Sequence, residues 1–169
     1  MEGAAVSPMS RQEIRARVRE FRETVGCKNK LYFPIVNVIE EQLPLFGFEM
    51  EIEDDSSMGD AYAITDMESR TIRIRESTYV GAIQGNARDR FTLCHEVGHC
   101  LLHTPDRVIF ARGSVPLYMR AEWQANTFAG ELMAPPDLVR GMDAERIAEK
   151  CGMSRQAAKI QWSEYRKRY

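Results

Sequence analysis

The chain has 169 residues, of which 28% are charged and 44% hydrophobic, with a net charge of -2. That length supports one domain with its own core, and the near-neutral charge removes any general attraction to nucleic acid or anionic membrane. No apolar run approaches a membrane span and no signal-peptide pattern opens the chain, so a cytoplasmic protein is expected.

Residues 1–9 carry no structural signal and are expected to be disordered, with a single domain over residues 10–169. Ser10-Arg11-Gln12-Glu13 is a capping box, and Ile14, Val18, Phe21 and Val25 follow at helical spacing. Gly26 should stop this first helix, whose arginine- and glutamate-rich face reads as solvated. A second helix is expected from Ile35 to about Leu43, with Pro34 near its start and Pro44 at its end. Phe48, Met50 and Ile52 alternate with glutamates, as in a half-exposed strand. Ala61–Thr65 and Thr71–Arg75 read as two further strands. Together they predict a small antiparallel sheet of about three strands in a mainly helical α+β domain. Ser77 to Gln84 should be a short helix, and Arg88 to His103 a longer one containing no proline.

The longer helix carries His95-Glu96-Val97-Gly98-His99. The chain's three histidines all fall between positions 95 and 103. Residues four apart share one helix face, so His95 and His99 can bind one zinc ion, and Glu96 can serve as general base toward a water. Gly98 is either tolerated or placed for a close approach. His103 lies roughly 12 Å beyond His95 at 1.5 Å per residue, too far to share the ion. It should end the helix, with a role near substrate left open.

Residues 105–117 form the longest irregular stretch and should border the cleft. Tyr118 and Arg120 at its end are candidate donors to an oxyanion, against ordinary packing for each. Glu122-Trp123-Gln124-Ala125-Asn126-Thr127-Phe128-Ala129 reads as a second active-site helix. Glu122 is the expected third zinc ligand, and Asn126, one turn on, should hold a ligand histidine by its other ring nitrogen. Glu131 should face elsewhere. Beyond Pro135-Pro136, residues of about 137–169 read as a helix-turn-helix-like portion, with Gly152 in the turn and Ser154 as N-cap. Its short basic end falls short of a phosphate-tracking stripe, so an α-hairpin closing the domain is preferred over direct DNA binding. Cys27, Cys94, Cys100 and Cys151 lack CxxC spacing and should be free, buried thiols.

RFTLCHEVGHCLLH followed by EWQANTFAGELMAP resembles the ImmA/IrrE family of zinc metallopeptidases, with a similarity extending over about residues 30 to 160. Leu132-Met133-Ala134-Pro135 departs from the family's common Leu-Leu-Met-Pro, which touches packing rather than chemistry. The resemblance implies a bacterial, phage or mobile-element protein acting on a transcriptional repressor. The expected function is therefore zinc-dependent endoproteolysis of a partner protein, a helix-turn-helix repressor encoded nearby. The alternatives are a zinc-containing module that controls a repressor by binding alone, and a DNA-binding regulator.

Overall fold

The computed structural model describes residues 5–109 and 114–167. The first helix, α1 (Arg11–Thr24), opens on Ser10, whose hydroxyl accepts from the Glu13 amide while the Glu13 carboxylate answers the Ser10 amide. This reciprocal cap satisfies two of the helix's unpaired donors. Ile14, Val18 and Phe21 are buried, and Phe21 meets Phe33, Phe46 and Phe128 edge-on or tilted. Side chains of this size stabilise by about 1.5–3 kcal/mol each when fully buried.

The polar face of α1 is not simply solvated. Arg15 and Arg22 are buried. Arg15 makes a two-point grip on the fully buried Glu131, and Arg22 donates to the carbonyls of Leu132 and Lys30. Both reach α5 (Ala121–Met133), so this face is an interface with that helix.

The next helical segment begins as α2 (Ile35–Asn37), widens into a π-turn over Val38–Gln42 and tightens into a 3-10 turn over Leu43–Phe46. Pro44 therefore does not end it. A proline has no amide to give to the preceding turn, and the chain changes its winding there instead. Gly47, at φ 83°, closes the segment.

Three strands follow: β2 (Glu49–Glu53), β3 (Ala63–Asp66) and β4 (Thr71–Arg75), in the order β2-β4-β3. β3 pairs antiparallel to β4, but β2 pairs parallel to it. The expected antiparallel sheet is thus mixed, because β2 joins β4 rather than its chain neighbour β3. Ile72 and Ile74 are buried, as their alternation with arginine requires. Residues 5–9 are not disordered: β1 (Ala5–Val6) pairs with β5 (Val108–Ile109), and Ala5, Val6 and Met9 are buried. The segment is too short to show a periodicity of its own, and its pairing partner lies about a hundred residues away.

The centre of the fold is the pair α4 (Ala87–Leu102) and α5, with α3 (Glu76–Ile83) leading into it. They run antiparallel, since His95 meets Asn126 while His99 meets Glu122. Gly98 faces this contact: a Cβ there would lie 3.2 Å from Phe128 and 3.3 Å from the Ala125 backbone. Its missing side chain lets the two helices approach. α6 (Pro136–Val139), α7 (Ala144–Cys151) and α8 (Arg155–Arg166) complete the chain, with Gly152 left-handed and Ser154 capping α8. The Tyr165 hydroxyl donates to the Ala134 carbonyl beyond α5, and Ala158 is buried. The terminal hairpin therefore packs back on the domain. All four cysteines are free and buried, and burial pushes the Cys94 thiol up to about 12. Among the described residues no helix is long and apolar enough to cross a membrane.

Candidate metal centre

Asn86 caps α4 through its side chain, which accepts from the Asp89 amide. Further along the helix, His95 and His99 project from one face, their Nε2 atoms 3.0 Å apart. The Glu122 carboxylate straddles them, with one oxygen 3.0 Å from His95 Nε2 and the other 3.1 Å from His99 Nε2. These contacts hold the Glu122 carboxyl well below the usual carboxylate range. Burial lowers the His95 pKa, but the Glu122 hydrogen bond and the nearby carboxylates outweigh it, leaving the imidazole raised.

The far side of each ring is held as well. His95 Nδ1 lies 2.8 Å from Asn126 Oδ1, and His99 Nδ1 lies 2.8 Å from His103 Nδ1. Anchoring of the remote nitrogen is the usual device for aiming a ligand imidazole. The donor set, two imidazoles and a carboxylate, suits zinc, and ligand atoms of a tetrahedral zinc site sit roughly 3.3 Å apart. The three groups match that chemistry and nearly that size.

Glu96 also lies near both imidazoles, with the three donor groups within 4.8 Å of one another. One of its oxygens is engaged elsewhere: the Thr65 hydroxyl donates to Oε2 at 2.6 Å. Glu122, by contrast, touches both Nε2 atoms. Thr65 belongs to β3, one of the two edge strands of the sheet. Ala63, Ile64 and Thr65 line a cavity of about 300 Å³ together with His95, Glu96, His99 and Glu122. A sheet edge therefore borders the candidate centre.

Three candidates behave differently. His103 terminates α4 as expected, but it is fully buried and bonded to His99, so it cannot touch a substrate. The Arg120 guanidinium donates to the Val115 carbonyl beside the start of α5. Tyr118 is half-exposed on a 3-10 turn, and neither side chain lines the cavity. Thr65 and Gln124 are the residues sequence reasoning missed. Thr65 lies 31 positions from Glu96 and shows only through the fold. Gln124 sits beside Glu122 in the motif, yet a glutamine in a helix carries no signal of its own.

Residues 52–163 match the family described as Peptidase_M78, IrrE N-terminal-like domain. The chain belongs to this family. The matched span of the Peptidase_M78 domain contains Thr65, the histidine helix and the Glu122 helix, and leaves out α1 and the N-terminal strand. A Mycobacterium tuberculosis transcriptional regulator aligns structurally with a TM-score of 0.54 at 13% identity, covering 86% of this chain and 45% of that one. This chain thus spans under half the length of that protein, and the likeness is one of fold. Comparison with curated protein sequences gives no match.

Proposed function

We propose that this Peptidase_M78 chain is a zinc-dependent endopeptidase that cuts one partner protein, a helix-turn-helix repressor, within an extended segment. The observation that carries this reading is the Glu122 carboxylate bridging the Nε2 atoms of His95 and His99, beside a separate, anchored Glu96.

His95, His99 and Glu122 would hold the zinc, with Asn126 orienting His95. The ion supplies Lewis acidity toward the scissile carbonyl and makes a water more acidic. Glu96 takes the proton of the attacking water and returns it to the departing amine. The Thr65 hydroxyl fixes one oxygen of Glu96, leaving the other for that transfer. The outer edge of β3 offers backbone groups to an extended peptide, which would bind as an added strand along the cavity. A helix hides those groups, so the cut should fall in a linker or a locally opened helix. Direct DNA binding is not part of this reading, because α7 and α8 pack back on the domain and their basic end is short.

The test is co-expression with the repressor encoded alongside, followed by mass determination of both chains. The wild type should yield two repressor fragments, and Glu96→Gln should keep zinc and fold but leave the repressor intact. An intact repressor held in a stable zinc-containing complex by wild type would instead favour control by binding. Broad digestion of casein would sink the claim of specificity.

A further inference from the structure

We infer that Gln124 is a positioning residue: through His103 it fixes which nitrogen of His99 carries the proton, and so keeps the Nε2 atom of His99 free to bind metal. The inference rests on the zinc reading above, but its argument comes from a separate chain of hydrogen bonds.

The chain begins at two backbone carbonyls. Gln124 Nε2 donates to the Ser7 carbonyl at 2.9 Å and to the Tyr118 carbonyl at 2.7 Å. Carbonyls only accept, so the amide orientation of Gln124 is set, and its Oε1 must accept from whatever it meets. It meets His103 Nε2 at 3.0 Å. That nitrogen therefore carries a hydrogen. His103 is fully buried, and among the described residues its ring nitrogens meet only Gln124 and His99; burial disfavours an imidazolium there, so the one ring hydrogen sits on Nε2 and Nδ1 is a lone pair. Nδ1 of His103 faces Nδ1 of His99 at 2.8 Å, and that contact needs one hydrogen, which His99 must supply. With Nδ1 committed to His103, His99 is left to bind a metal through Nε2, the atom beside Glu122 and His95.

Each step forces the next. The relay also places its far anchor outside the family's matched span, on the N-terminal segment. The Ser7 amide donates to Arg107 and the Met9 amide to Tyr118, so both acceptors of Gln124 are tied into one backbone cluster. Residues 5–9 thereby become a structural part of the metal centre.

The experiment reads ring tautomers by 15N–1H NMR of metal-free protein labelled in histidine, and zinc affinity by competition with a chelator. In the wild type, His99 should be protonated on Nδ1 and His103 on Nε2. Gln124→Leu frees His103 to take either form, so His99 should show mixed tautomers and zinc affinity should fall by about 10–100-fold. His103→Leu should do the same. His103→Gln keeps an amide oxygen to accept from His99, and should stay within about threefold of wild type. The inference is overturned if wild-type His103 carries its hydrogen on Nδ1. It is also overturned if folded Gln124→Leu keeps the wild-type tautomers and affinity. Should Gln124→Leu fail to fold, the wild-type tautomers and the His103 pair decide. Absence of zinc binding by wild type overturns the peptidase reading, while the tautomers still decide the relay.

Discussion

The Thr65 hydroxyl donates to Glu96 Oε2 at 2.6 Å, joining an edge strand of the sheet to the proposed acid-base residue of the histidine helix. A hydrogen bond to a charged group contributes about 1.5–3 kcal/mol. Thr65→Val keeps the shape and removes the donor. Cleavage should fall by roughly 10–100-fold, since each 1.4 kcal/mol is tenfold in rate, while bound zinc stays unchanged. Steady-state rates beside metal analysis check this, and a Thr65→Ser variant should recover most of the activity.

Glu131 is fully buried between Arg15 and Arg11, far round α5 from Glu122. Removing one partner of a buried ion pair strands the other charge, at a cost of about 3–5 kcal/mol. Glu131→Leu should lower the unfolding free energy by that order in urea melts. Adding Arg15→Leu should recover part of the loss, and additive losses would refute the coupling.

Much of the site was legible in sequence because its chemistry is local. His95 and His99 lie one turn apart, and so do Glu122 and Asn126, so helical periodicity alone aligns each pair. The fold's class was legible for the same reason: capping residues and apolar spacing are short-range signals. The missed features depend on distant partners. Arg15 and Arg22 look like solvated cations until α5 covers them. Arg90 is buried with its guanidinium 3.7 Å over the Tyr32 ring and bonded to the Phe33 carbonyl, contacts no local pattern announces. The parallel pairing of β2 with β4 and the burial of residues 5–9 likewise depend on which segments meet in space.

Gly98→Ala tests the close approach of α4 and α5. Alanine gains about 1 kcal/mol in helix propensity, but overpacking a tight contact costs about 1–3 kcal/mol. The opposing atoms are the Ala125 backbone and the Phe128 stem, which cannot swing away. The variant should be destabilised, and the displaced α5 should carry Glu122 off the histidine pair. Lower thermal stability together with weaker zinc binding is expected. A stabilised variant with unchanged zinc affinity would refute this reading.

His103 supplies a pH signature. Burial first, then the neighbouring His99, lowers its pKa from the ordinary 6.5 to about 4. Between those values the unfolded chain binds a proton that the folded chain does not, so stability rises with pH across that window and is lost as pH falls toward 4. At about 1.4 kcal/mol per unit the effect is on the order of 3 kcal/mol. Urea midpoints of metal-free protein should decline from about pH 6.5 to 4.5, and His103→Gln should flatten the decline. Parallel curves for the two proteins would count against a neutral, buried His103.

The remaining prediction concerns competition between proton and metal. In the metal-free site, His95 is raised because the bond to Glu122 and the charges of Glu96 and Glu122 overcome burial, while Glu122 is lowered by both histidines. Protonated His95 paired with Glu122 stabilises the metal-free fold below the ordinary histidine pKa, and that contribution is lost as pH rises through the raised value. Zinc must displace this proton, so its affinity should rise with pH and level off once His95 is neutral. The zinc-induced increase in melting temperature should accordingly be small under mildly acidic conditions and larger above neutrality. Glu122→Gln separates two contributions of the carboxylate. It removes a ligand, so affinity should drop by more than the roughly 10–100-fold typical of an outer-shell change. It also removes the group that raises His95, so the remaining pH dependence should shift to lower pH. Chelator competition across a pH series measures both effects. A variant that keeps wild-type affinity and the wild-type pH profile would remove Glu122 from the ligand set and return the third position to Glu96.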